Sequence, residues 1–194
     1  MKKYNINEIF YSVQGEGVNT GRPAVFIRFA GCNLNCAFCV TDFNIKEKLT
    51  AFEIRERIME VANDKYQLIV LTGGEPALQF DEELYNSLPH GELAMETNGT
   101  IWNKDMRLID TITVSPKITW QPQKDWILRE GTELKLVYDG QDLDSFYKDT
   151  AFNYYYLQPM EIGGHYNFAE VVDAVKQNPE RTISTQLQKI WKVR

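Results

Sequence analysis

Val25-Phe26-Ile27-Arg28-Phe29-Ala30-Gly31-Cys32-Asn33-Leu34-Asn35-Cys36-Ala37-Phe38-Cys39 runs from an apolar stretch through a glycine into all three cysteines of the chain. The apolar part predicts a strand over Val25–Ala30. The Cys-x3-Cys-x2-Cys loop at its end offers three thiolates to one metal centre and no fourth. A four-iron cluster needs four ligands, so this spacing leaves one iron open to a group that is not protein. The plainer readings are free buried thiols or a zinc site. Free thiols rarely crowd in this way, and zinc normally takes a fourth Cys or His close by. The two histidines, His90 and His165, lie far along the chain. An open [4Fe–4S] cluster is therefore the preferred reading of Cys32, Cys36 and Cys39.

Working outward, short β-rich runs recur with helical patterns between several of them. Leu68–Leu71 is a continuous apolar run, as in a strand covered on both faces. Further strands are expected at Leu93–Glu96, Ile109–Val114, Glu133–Tyr138, Tyr154–Leu157 and Thr182–Gln186. Thr50-Ala51-Phe52-Glu53 has the form of a capping box, opening a helix with Phe52, Ile54, Ile58 and Val61 on its apolar side. A second helix is expected at Asp81–Leu88. A third, capped by Asn167, would turn Phe168, Val171, Val172 and Val175 inward. Polar or glycine-rich residues follow each strand directly, as in Gly31-Cys32, Thr72-Gly73-Gly74-Glu75 and Ser115-Pro116-Lys117. That places the unusual chemistry at the carboxyl ends of parallel strands, where β/α barrels carry their active sites. A closed eight-fold barrel usually takes ~250 residues. For 194 residues the expected fold is α/β, a partial, open barrel of about six strands in one domain spanning residues 1–194.

Composition sets outer bounds. With 43% hydrophobic and 12% aromatic residues, the chain can build a core. Its net charge is −6, with the basic residues scattered, so no footprint for nucleic acid is seen. No apolar stretch approaches the ~20 residues that span a bilayer. The polar start, Met1 to Glu8, is unlike a secretory signal. Three close thiols then fit a reducing, cytoplasmic setting.

The cysteine loop together with Thr72-Gly73-Gly74-Glu75-Pro76 resembles the radical S-adenosylmethionine (SAM) enzymes. In that superfamily SAM chelates the open iron. The resemblance implies that Gly73, Gly74 and Glu75 hold the methionine amino group, with main-chain carbonyls and the Glu75 carboxylate suiting an ammonium. It implies SAM contacts from Phe38, whose plain alternative is packing, and from Ser115, Pro116, Lys117 and Gln158.

A narrower likeness covers essentially the whole chain. Val13-Gln14-Gly15-Glu16-Gly17, Gly21, Arg28, Glu96-Thr97-Asn98-Gly99, Leu157-Gln158-Pro159, Gln186 and Lys189 resemble the 7-carboxy-7-deazaguanine synthase family. Those carbon–nitrogen lyases contract 6-carboxy-5,6,7,8-tetrahydropterin to 7-carboxy-7-deazaguanine with loss of ammonia, toward queuosine. The likeness implies substrate contacts from Val13, Gln14, Gly15, Glu16, Arg28, Thr72, Gln188 and Arg194. Paired hydrogen bonds from Gln14 would suit the pterin amide edge, and the Arg28 guanidinium its carboxylate. It also implies Mg2+ at Thr41, a flavodoxin or ferredoxin as electron donor, and a homodimer. Two positions depart from the family pattern. Its usual Cys-Asp-Thr is Cys39-Val40-Thr41 here, and its Gln-x-His-Lys is Gln186-Leu187-Gln188-Lys189. Glutamine cannot carry a charge or shuttle a proton near neutral pH. A glycyl-radical activase, or a non-catalytic cluster-binding relative, are the alternatives that the motifs leave open.

Overall fold

The computed structural model describes residues 1–36, 39, 42, 44–63, 65–117 and 125–194. Its longest strand is one that strand periodicity passes over. β1 (Tyr4–Val13) pairs antiparallel with β2 (Pro23–Phe29). Ile6 faces Phe29 and Glu8 faces Arg28, so a bulge at Asn7 shifts the register. An inserted residue reverses the side-chain alternation beyond it. That break hides β1 from a period-two search.

The remaining strands are β3 (Glu47–Leu49), β4 (Leu68–Gly73), β5 (Glu92–Thr97), β6 (Thr111–Val114), β7 (Glu130–Tyr138), β8 (Ala151–Pro159), β9 (Glu161–Ile162), β10 (His165–Tyr166) and β11 (Thr182–Ile183). Nine form one open sheet, ordered β11-β8-β7-β6-β5-β4-β2-β1-β3. From β2 to β11 all neighbours are parallel, giving seven parallel strands where about six were expected. β1 and β3 extend the sheet as an antiparallel edge, and β9 and β10 form a separate small hairpin. The expected strand Thr182–Gln186 shortens to Thr182–Ile183, and that at Ile109–Val114 begins at Thr111.

The helices are α1 (Ala51–Ala62), α2 (Glu82–Ser87), α3 (Asp144–Tyr147), α4 (Phe168–Gln177) and α5 (Leu187–Trp191). The capping box on α1 is present in full, with Thr50 Oγ1 accepting from the Glu53 amide. The buried side of α1 is Ala51, Ile54, Ile58 and Ala62, whereas Phe52 is exposed. Small residues let the helix lie close to the sheet, and a ring in the first turn points past it. In α4 the buried residues are Val171 and Ala174, while Phe168 and Val172 are exposed. Asn167 stands at the N-cap of α4, but its side chain makes no capping hydrogen bond. Its amide ties Met160 N and Tyr138 O instead, anchoring the chain after β8. No helix among the described residues is long and apolar enough to cross a membrane.

Alternation along the strands separates two faces. Val25, Ile27 and Phe29 of β2, Ile69 and Leu71 of β4, and Leu134 and Leu136 of β7 join the large core under the helices. On the other face Phe10, Ala24, Phe26, Leu68, Val70 and Ala94 form a second, small apolar cluster. Two residues further along the same strands, that face turns polar with Arg28, Thr72 and Glu96. A flat sheet would hold β1 and β7 roughly 24 Å apart. Yet Val18, in the loop after β1, donates its N–H to Glu133 Oε1 of β7 at 2.7 Å. The curl of the sheet and the crossing of that loop together close the polar end into a basin.

Candidate active site at the carboxyl ends of the strands

A cavity of about 760 Å³ opens at this end. It is lined by the cysteine loop, by Gly73 and Gly74 at the end of β4, by the loop after β1, by Arg28 and by the tail. Cys32, Cys36 and Cys39 all line it. Burial pushes the Cys32 and Cys36 thiols up, and the nearby Lys117 ammonium opposes this at Cys36. Among the described residues no three Cys, His, Asp or Glu side chains converge on one point. A four-iron cluster does not require convergence, because each cysteine ligates a separate corner. The three thiols on one loop therefore fit such a group.

Gly73 and Gly74 line the cavity too, but a tight backbone approach demands them. A Cβ on Gly74 would lie 1.8 Å from the Gly31 carbonyl oxygen. Gly74 N donates to Phe29 O at 3.0 Å and Glu75 N to Gly31 O at 2.9 Å, so this loop buttresses the root of the cysteine loop. Glu75 differs from the expectation of an ammonium-facing carboxylate. It is fully buried and does not line the cavity. Its Oε1 accepts from Ala77 N at 3.0 Å and Thr97 Oγ1 at 2.7 Å, and its Oε2 from Asn98 N at 2.8 Å. Burial pushes its carboxyl above the usual range despite these donors.

Ser115 and Lys117 line the cavity, whereas Pro116 is buried beside it. Lys117 Nζ donates to the Ser115 carbonyl at 2.7 Å. Burial, and then the Lys135 charge, pull its pKa down to about 8. Gln158 also lines the cavity, with its Oε1 buried and lacking a hydrogen-bond partner among the described residues. Phe38, Val40 and Thr41 lie outside the described residues.

The predicted substrate residues come together. Val13 and Gly15 line the cavity. Gln14 Nε2 donates to Glu96 Oε1 at 3.2 Å, and Thr72 Oγ1 donates to Glu96 Oε2 at 2.9 Å. Arg28 Nε donates to Glu8 Oε1 at 2.9 Å, with its guanidinium 5.7 Å from the Phe10 ring centre. Arg194 Nη2 pairs with the other Glu8 oxygen at 3.1 Å. Glu16 is paired with Lys135, and Gln188 Nε2 donates to Glu16 Oε1 at 2.7 Å. Burial would raise the Glu16 carboxyl, but Lys135 and the Gln188 and Gln186 amides hold it below the usual carboxylate range. The Lys135 ammonium, which burial alone would lower, is held above its ordinary value by Glu16 and Glu96.

Glu8, Glu96 and Lys135 were not singled out as site residues from the sequence. A signal existed for Lys135 and Glu133, since charged residues alternate there with Leu134 and Leu136 in a strand buried on both faces. Glu8 was hidden by the bulge.

Comparison with known proteins identifies the family. The model of the Radical SAM superfamily matches residues 26–118. A 7-carboxy-7-deazaguanine synthase of Bacteroides thetaiotaomicron is 42% identical over 97% of this chain and 98% of its own length. One from Burkholderia multivorans is 36% identical over 96% and 97%. In fold, the crystal structure of QueE from Escherichia coli superposes with a TM-score of 0.73 at 23% identity, covering 95% of this chain and 94% of that one. With full-length identity of this order to proteins bearing one name, the chain belongs to the 7-carboxy-7-deazaguanine synthase family of radical SAM proteins.

Proposed function

We propose that this chain converts 6-carboxy-5,6,7,8-tetrahydropterin to 7-carboxy-7-deazaguanine with loss of ammonia, using a [4Fe–4S] cluster and SAM. The observation that carries the reading is end-to-end identity to named synthases, 42% over 97% of the chain. Cys32, Cys36 and Cys39 would hold the cluster, leaving one iron for SAM. When bound, the pair supplies one-electron cleavage of the sulfonium and hence hydrogen-atom abstraction. The protein's share is binding, orientation and exclusion of water.

The polar floor suits the pterin. Glu96, held by Gln14 and Thr72, offers carboxylate oxygens to an amino-pyrimidinone edge rich in N–H donors. Arg28 spends its Nε on Glu8, which leaves the outer guanidinium nitrogens for a substrate carboxylate. Gly73, Gly74, Ser115, Lys117 and Gln158 border the cysteine side, where SAM would lie. Glu75 then serves SAM indirectly, by pinning the Gly-Gly loop to Thr97 and Asn98. For Mg2+ the family likeness supports Thr41, with substrate oxygen and waters completing an octahedron. A flavodoxin or ferredoxin donor, a homodimer, a cytoplasmic location and a single folding unit over residues 1–194 complete the reading.

The test is anaerobic reconstitution with iron and sulfide, then addition of SAM, the carboxytetrahydropterin and a low-potential reductant. The deazaguanine product is expected, with more of it when Mg2+ is present. Formation of 5′-deoxyadenosine with no ring-contracted product at any magnesium level would reject this substrate.

A further inference from the structure

The buried pair of Lys135 and Glu16 is not required to hold its strand, since β7 is bonded to β6 on one side and β8 on the other. Lys135 sits at an inward position of β7, 8% exposed, with the carboxylates of Glu16, Glu96 and Glu133 around its ammonium. Glu16 turns one oxygen to Lys135. The other accepts from Gln186 Nε2 at 3.1 Å and Gln188 Nε2 at 2.7 Å. These glutamines stand at the start of α5, so a single carboxylate joins β7 to the tail.

The other holds on that tail lie at its surface, among them Ser12 Oγ donating to the Arg194 carbonyl at 2.8 Å and Lys189 Nζ donating to Tyr166 Oη at 3.0 Å. α5 buries no residue, and Ile190, Trp191 and Val193 are exposed. Leu187 N donates to Gly15 O at 3.2 Å. Lys189 pairs with Glu161, and Arg194 with Glu8, but these ion pairs are substantially solvated and of small worth. Gln188 Oε1 is buried with no hydrogen-bond partner among the described residues, which opposes docking. A Cβ on Gly15 would meet it at 1.9 Å, so the tail lies directly on the Gly15 backbone.

We propose that Lys135 is a positioning residue which, through Glu16, docks the C-terminal helix as one wall of the active-site cavity. The ammonium keeps the buried carboxylate charged and aimed at Gln186 and Gln188. Without it, Glu16 takes up a proton or turns toward solvent. Either outcome removes the charge-assisted acceptor. No buried apolar side chain of α5 then retains the helix, and the wall formed by Gln186, Gln188 and Lys189 opens. This goes beyond the proposed reaction, because docking belongs to the protein without substrate.

The test is hydrogen–deuterium exchange of the full chain, followed on peptides covering residues 186–193. Lys135→Met is expected to speed exchange there by about tenfold or more, the loss of one charge-assisted hydrogen bond, with β4 and β5 unchanged. Lys135→Arg should stay near wild type, since it keeps the cation. In turnover, KM for the pterin should rise more than kcat falls in Lys135→Met, a split that a merely structural role would not give. If Lys135→Met does not fold, Glu16→Gln with Lys135→Met removes both members of the ion pair, and its tail peptides should also exchange faster. Tail exchange at the wild-type rate in whichever variant folds overturns the proposal. Equal acceleration along the whole chain overturns it as well.

Discussion

Two largely buried carboxylates, Glu75 in the loop after β4 and Glu16 in the loop after β1, are kept by opposite means. Glu75 is held by two peptide N–H groups and a threonine hydroxyl, and burial raises its pKa. Glu16 has Lys135 against it and two amides, and its pKa falls below the usual range. Fixed dipoles make a permanent joint, because main-chain donors cannot leave. An ion pair with side-chain amides makes a joint that can be undone. The joint that Glu75 makes under the Gly-Gly loop is thus rigid, and the joint that Glu16 makes with the tail depends on charge.

The most severe way to break the comparison is Glu75→Ala. It orphans Thr97 Oγ1, Asn98 N and Ala77 N together, and should cost about 3–5 kcal/mol of unfolding free energy. Denaturant titration measures this, and a change below about 1 kcal/mol would mean that Glu75 does not act as the joint. Glu16→Gln removes the carboxylate in direct contact with Lys135, leaving only the more distant Glu96 and Glu133, and should cost about 2–4 kcal/mol near pH 7. The sign with pH separates the two carboxyls. Glu16 has a depressed pKa, so its contribution is present above the ordinary 4.5 and is lost as the pH falls through the lower folded value. Glu75 has a raised pKa, so its contribution is full below 4.5 and is lost as the pH rises through the higher folded value. The stability gap between wild type and Glu16→Gln should therefore narrow in acid. The gap for Glu75→Gln should move in the variant's favour as the pH rises. Identical slopes for both variants would erase the distinction drawn here.

Smaller effects sharpen it. Gly74→Ala forces a Cβ onto the Gly31 carbonyl and should cost about 1–3 kcal/mol. Iron bound per reconstituted chain should fall with it, because the root of the cysteine loop must shift. Arg28→Lys should change stability by less than about 1 kcal/mol, since its pair with Glu8 is about a quarter exposed. Its expected effect is on substrate instead, a KM for the pterin raised about tenfold through loss of the planar fork. Steady-state kinetics of the two variants would show which side each residue serves.

The sequence was most legible where chemistry and local spacing coincide. Three thiols on one loop, two glycines after an apolar strand and the Thr50–Glu53 capping box are short-range patterns, and each carries its meaning within a few residues. β1 escaped because the bulge at Asn7 breaks its period. α5 leaves no pattern in the sequence because it has no buried side and so no apolar stripe. Phe52 and Phe168 were assigned inward by periodicity, yet the sheet surface beneath those helices favours alanine and branched aliphatics at close range.

By itself the sequence determined the parallel strand pattern, the rim on which the polar loops gather, and a cysteine loop one ligand short of closing a cluster. Those depend on spacing, and spacing is written in the chain. Only the tertiary structure decided that Glu75 supports the loops instead of facing the cavity, that Glu8 orients Arg28, and that Lys135 meets Glu16 across 119 residues. The physical reason is the curl of the sheet, which brings the loop after β1 over β7, a closeness that no local pattern encodes.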